Sequence, residues 1–227
     1  MGLIVPAALS TSKEDLDKKL ALFASFPAIS RVQIDVVDGK FASPKTWPYD
    51  APAEMQALID RGEMLPALDR ITYEIDLMCL DAEKAAGEWL ALGASRLTLH
   101  AESAIDISRL LESARRCYGE GCVSFGLALN IETDISLIEP HLSQVSYVQF
   151  MGIANIGKQG QIFDQRVFEK IRAFHARHPE VHLQVDGGVS LDSADKLLAL
   201  GVSDLVIGSA ILRASDPAAA FAAFEML

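Results

Sequence analysis

Short β-rich runs alternate with amphipathic runs along the whole 227-residue chain, and that alternation predicts an α/β fold. Eight such units average about 28 residues each, the usual size of the repeating unit in a (β/α)8 barrel. No GxGxxG follows the first strand, which disfavours the runner-up architecture, an open doubly wound sheet. The expected fold is therefore a (β/α)8 TIM barrel, with residues 1–227 as one domain.

The first strand is expected at residues 3–8. The helix after it opens on Thr11-Ser12-Lys13-Glu14, a capping box with Glu14 three residues beyond the Thr cap. Strand two, 31–37, runs into the longest irregular segment, DGKFASPKTWPY from Asp38. A long loop at that place lies on the functional face of a barrel and is positioned to cover a site. Pro52 sits near the first turn of the second helix. Strands are then expected at 70–78, 96–100, 123–129, 146–151, 181–186 and 204–207, each followed by a helix. Gly93 and Gly201 end the apolar-periodic GEWLALG and KLLALG where a left-handed residue is wanted. Ser190 or Asp192 caps the helix after strand seven.

The chain carries 20 Lys+Arg against 31 Asp+Glu, a net charge of −11. Most of such a surface repels polyanions, which argues against nucleic-acid or anionic-membrane binding but not against a small anion held by local groups. An apolar fraction of 50% excludes a disordered chain. Cys79, Cys117 and Cys122 fit no zinc or redox spacing and leave an odd count, so a reducing cytoplasm is expected. No apolar run approaches membrane-spanning length. The Ala/Phe-rich PAAAFAAFEML end reads as a core-packing helix face or a contact in a homo-oligomer.

Polar residues at strand C-termini carry the chemistry in barrels. Period-two alternation puts Gln33 with Asp35, Glu74 with Asp76, and Gln184 with Asp186 on single faces of their strands. Asp35 and Asp186 then face each other across the barrel mouth. Two opposed carboxyls, one ionised and one protonated, are what proton transfer at a stereocentre requires. The competing reading makes them helix caps or turn closers. Glycine-bearing turns after the late strands, Gly157-Lys158-Gln159-Gly160, Gly187-Gly188 and Gly208-Ser209, let backbone N–H groups approach a phosphate. Each glycine alone would be a plain turn.

The segments VPAALS (5–10), QIDVVDGKF (33–41), DLM (76–78), TLHAE (98–102), GLALN (126–130), GKQGQIF (157–163), QVDGGVS (184–190) and IGSAI (207–211) resemble the ribulose-phosphate 3-epimerase family in order and spacing. The resemblance implies a ribulose-phosphate-binding barrel of carbohydrate metabolism that epimerises a phosphorylated ketose of the pentose phosphate type. It implies a metal-stabilised enediolate, with Asp35 and Asp186 exchanging the proton on opposite faces of the carbon. Gly157, Gly160, Gly187, Gly188, Gly208 and Ser209 match the phosphate loops. Lys158, Gln159 and Met78 fall at substrate-facing places in the matching segments.

The departures fall on the metal site. The family uses two His and two Asp, and here the His positions hold Gln33 and Asp76. A family Ser that contacts substrate is Ala7, a Met is Val37, and GFGG has become GKQG. Gln33, Asp35, Asp76 and Asp186 form an oxygen-only ligand set, which suits Mg²⁺ or Mn²⁺ better than Zn²⁺. The other possibility is a site without metal, in which one carboxyl keeps a proton and a protonated Asp76 donates to the oxyanion. Asp76–Asp81 also resembles the DxKxxD signature of related lyases and decarboxylases, with Met78 at the lysine position. His100 reads first as hydrogen-bonded packing, and second as a relocated ligand beside Asp76. The alternatives to a ribulose-phosphate epimerase are a non-catalytic phosphosugar-binding barrel and an epimerase or isomerase of another sugar phosphate.

Overall fold

The computed structural model describes residues 2–103, 107–118 and 121–227. Eight parallel strands close into a barrel in chain order: β1 (Leu3–Leu9), β2 (Arg31–Val37), β3 (Thr72–Met78), β4 (Arg96–His100), β5 (Ser124–Leu129), β6 (Tyr147–Met151), β7 (Leu183–Asp186) and β8 (Asp204–Ile207). Closure leaves no unpaired edge, because β1 pairs with β8 as well as with β2.

Helices α1 (Lys13–Ala24), α2 (Pro52–Asp60), α3 (Ala82–Ala91), α4 (Ile107–Tyr118), α5 (Arg166–Arg177), α6 (Leu191–Ala199), α7 (Ser209–Leu212) and α8 (Pro217–Glu225) pack outside. Helix α1 begins one residue later than expected, with Ser12 rather than Thr11 as the cap; the Asp15 N–H donates to the Ser12 hydroxyl at 3.2 Å. Ser190 caps α6 in a reciprocal box with Ser193. Strand β3 starts at Thr72, not 70. The N–H groups of Arg70 and Ile71 both turn back to the Ala67 carbonyl, and the Arg70 guanidinium reaches the Ala24 carbonyl at the end of α1 and those of Phe26 and Ile29 beyond it.

One expected helix is missing. The β5–β6 connection carries two 3₁₀ turns, Ile135–Leu137 and Glu139–Gln144. Pro140 accounts for it: proline supplies no N–H and its ring blocks a continuous α-helix through that stretch. Cys79 is buried and Cys122 exposed, and both are free thiols; the side chain of Cys117 lies outside the described residues. Among the described residues no helix is long and apolar enough to cross a membrane.

The apolar core lies between the strands and the helices. Ile34, Val36, Ile75, Leu77, Leu97 and Leu99 face outward into it, joined by Phe23, Trp89 and Phe174 from the helices. The inner face of the same strands is polar. Gln33, Glu74, Thr98, Gln149 and Gln184 are all buried there, where barrels usually hold branched aliphatics. Buried polar groups are stable only when paired, and each of these side chains has at least one partner, although the Gln184 oxygen itself has none. Gln184 Nε2 points at Gln149 Oε1 (2.7 Å), Gln33 Oε1 (3.3 Å) and Glu74. Thr98 donates to Glu74 at 3.1 Å, while its oxygen and the Tyr147 hydroxyl share a 2.7 Å contact. Toward the N-terminal end Glu74 meets Arg96 at 2.8 Å, and Asp204 pairs with Arg31 and His182.

Candidate active site

At the C-terminal ends of the strands a cavity opens. Its walls bring together the residues that the sequence singles out from distant segments: Asp35, Asp186, Met78, Gly157, Lys158, Gln159, Gly160, Gly187, Gly188, Gly208 and Ser209. Gln33 and Asp76 do not line it; both are fully withdrawn from solvent in the floor beneath.

Strand parity puts the acidic groups there. In register, Asp35 pairs with Asp76 between β2 and β3, and both side chains point inward. Oxygen atoms of Asp35, Asp76 and Asp186 all lie within 4.8 Å of one another, and all three residues are buried. Gln33 stands between two of them. Its amide nitrogen donates to Asp35 Oδ1 at 2.8 Å and to Asp186 Oδ2 at 3.1 Å. As oriented, Gln33 offers the carboxylates N–H groups while its oxygen accepts from Gln184.

The electrostatics follow from this crowding. Burial first, and the Asp76 charge second, push Asp35 up from 3.8 to about 7 against the opposing hydrogen bond from Gln33. Asp186 is raised well above the ordinary carboxyl range by burial and then by the charges of Asp35 and Asp76. Carboxyls this close cannot all ionise cheaply. Asp76 is held differently. One oxygen lies 3.0 Å from His100 Nε2 and the other accepts from Gln149 Nε2 at 3.1 Å. Both Asp76 oxygens thus face nitrogen groups of neighbouring side chains. Burial works to lower the His100 pKa, but the Asp76 carboxylate, with Glu102 and Asp35 behind it, outweighs burial and raises it.

The segment after β2 packs beside the cavity, but none of its residues lines it. Asp38 is a turn closer: it accepts from the N–H groups of Lys40 (2.7 Å), Phe41 (2.8 Å) and Leu80 (2.9 Å). Thr46 accepts from the Val37 N–H at 2.8 Å, and buried Trp47 packs edge-on against Trp89. The Phe41 ring thereby rests 5.4 Å from the His100 ring, and Ala42 joins Val37 and Met78 in a small apolar cluster. Gly157, Gly160, Gly187 and Gly188 all have left-handed backbones. At Gly188 (φ +69°) a Cβ would stand 2.8 Å from the Phe163 nitrogen, so both conformation and space require glycine.

Sequence reasoning did not single out Gln149 or Tyr147, which complete the interior network. The signal was present: a lone Gln at the centre of the apolar strand YVQFM has to be paired if it is buried.

A model of the "Ribulose-phosphate 3 epimerase family" matches residues 3–212. The chain belongs to this family. The family's relatives include ribulose-phosphate 3-epimerase of Escherichia coli K12, 28% identical over 94% of this chain and 90% of that protein. The chloroplastic ribulose-5-phosphate-3-epimerase of Arabidopsis thaliana is 27% identical over 96% and 74%. Among solved structures, KGPDC from Streptococcus mutans superposes with a TM-score of 0.69 at 15% identity, covering 100% of this chain and 96% of that one. A 3-hexulose-6-phosphate synthase gives 0.67 at 18% identity, over 100% and 99%. At these identities the two structures speak for the barrel fold alone, while membership of the epimerase family rests on the sequence matches.

Proposed function

We propose that the protein epimerises a phosphorylated ketose, of the ribulose 5-phosphate class, at the carbon beside its carbonyl, with Asp35 and Asp186 as the acid–base pair. The observation that carries this reading is the juxtaposition, in one cavity, of two carboxyls with raised pKa and a rim of left-handed glycines. A group poised near neutrality is an effective proton carrier in both directions. With Asp35 at about 7 and Asp186 also raised, one carboxylate takes the proton while the other, still protonated, delivers one to the opposite face. The Gln33 amide, bonded to both, fixes their separation and orientation.

The phosphate sits on the backbone N–H groups of the loops after β6, β7 and β8, with Lys158 adding charge. That anchor holds the reacting carbon at the carboxyl pair, converting substrate binding into orientation. Support comes from the family's relatives, named as ribulose-phosphate epimerases.

The cluster of three buried carboxylate oxygens within 4.8 Å fits a divalent cation. Asp35, Asp76 and Asp186 would hold it, and hard oxygen donors favour Mg²⁺ or Mn²⁺ over Zn²⁺. Such an ion supplies positive charge to substrate oxygens as the carbon loses its proton. His100 Nε2 stands 3.0 Å from one Asp76 oxygen, on the protein side of the cluster.

Incubation with ribulose 5-phosphate in D₂O tests the reading. Deuterium should appear at C3 together with the C3 epimer, in the parent but not in Asp35→Asn or Asp186→Asn, each slowed by about 10²–10⁴-fold. Binding of the sugar phosphate without exchange in the parent would instead establish a non-catalytic phosphosugar-binding barrel.

A further inference from the structure

Gln159 belongs to the loop after β6, yet its side chain leaves that loop. Its amide nitrogen donates to the Ala7 carbonyl of β1 at 3.3 Å. The same nitrogen lies 2.5 Å, and its Cδ 3.2 Å, from where a Cβ on Gly208 would stand, so the missing side chain after β8 is what gives the amide its place. The half-buried side chain therefore reaches from β6 to β1 and β8, along a wall of the cavity that Asp35 and Asp186 also line. Ala7, small and buried on that wall, leaves room for it. An amide that gives one N–H to Ala7 still has a second N–H and an oxygen to present to a ligand.

Two ends of a bound sugar phosphate are fixed by groups other than the Gln159 side chain, one by the backbone of the glycine loops and the other by the carboxyl pair. What lies along the remaining wall then sets how long a carbon chain can join them. We infer that Gln159 is a specificity-determining residue, its amide closing the β1–β8 side of the cavity and restricting the site to short ketose phosphates. This rests on the reading of the site given above. The physical basis is ordinary pocket discrimination, in which the space of one carbon unit separates ligands by about 10–200-fold. A side chain held by a hydrogen bond at its tip makes a firmer wall than one held by packing alone.

The test compares dissociation constants of D-ribulose 5-phosphate and its six-carbon homologue of the same C3 configuration, D-allulose 6-phosphate. Parent, Gln159→Gly and Gln159→Ala are measured calorimetrically, with thermal unfolding recorded for each; the alanine variant serves should the glycine variant fail to fold. Removing the side chain should lower the preference for the five-carbon ligand by about tenfold or more. A parent that binds, with variants that keep its preference unchanged, overturns the role of Gln159 and leaves the site intact. A parent that binds neither ligand overturns the sugar-phosphate reading and this inference together.

Discussion

Gln33 on β2 donates to Asp186 on β7 at 3.1 Å, although β1 and β8 lie between the two strands in the barrel. The barrel is narrow enough for one amide to span its interior, and the same nitrogen bonds Asp35. A carboxyl pair held in that way is buried, crowded and short of compensating charge.

Stability should therefore fall as pH rises through neutrality. The Asp35 carboxyl moves from 3.8 to about 7 on folding. Below pH 4 both folded and unfolded chains hold the proton, and the contribution is fully present. Between pH 4 and 7 the folded chain binds more protons, so its advantage is progressively lost. Asp35→Asn removes the penalty. In chelator, its unfolding free energy in urea relative to the parent should improve from pH 4.5 to pH 8 by about 3 kcal/mol. An unchanged difference between the two pH values would show that the carboxyl is not raised.

Divalent cations should relieve the same crowding. Thermal melts with increasing Mn²⁺ or Mg²⁺ are expected to shift upward, by about 2.7 kcal/mol once the ion exceeds its dissociation constant a hundredfold. Zn²⁺ should act more weakly on an all-oxygen set. Asp76→Ala, which removes a carboxylate of the cluster, should abolish most of the shift. Melting curves indifferent to all three ions would refute a metal site here.

The interior network makes Glu74 a stability residue. It is fully buried and accepts from Arg96 at 2.8 Å, from Thr98 at 3.1 Å and from Gln184. Truncation leaves Arg96 charged and without its carboxylate, a loss of about 3–5 kcal/mol. Glu74→Ala should show that loss in denaturant melts, while Glu74→Gln, which keeps an oxygen for Thr98 and Gln184, should lose less. Equal losses would mean that the charge, rather than the hydrogen bonds, accounts for the whole effect.

Gly188→Ala is expected to damage binding more than folding. The added Cβ is strained at φ +69° and meets the Phe163 backbone at 2.8 Å, which costs more than about 1 kcal/mol and displaces the loop after β7. Weakened affinity for ribulose 5-phosphate, with secondary structure by circular dichroism preserved, is the expected result. Parent-like affinity would remove that loop from the phosphate site.

The sequence by itself determined the order of the β/α units and which residues share a face, and favoured a barrel over an open sheet; closure came with the structure. These follow from period-two alternation and unit length, which are local properties of the chain. Gln33 with Asp35, and Glu74 with Asp76, were legible for that reason, as were the glycine turns. Local pattern also misled where proline overrode it, after β5. The tertiary structure alone decided several pairings across the closed ring: Asp76 against Gln149, Gln33 against Asp186, and Gln159 across to Ala7. Such contacts depend on barrel diameter and stagger, and an amide's direction is fixed by whichever donors and acceptors closure brings within reach. No spacing along the chain encodes them.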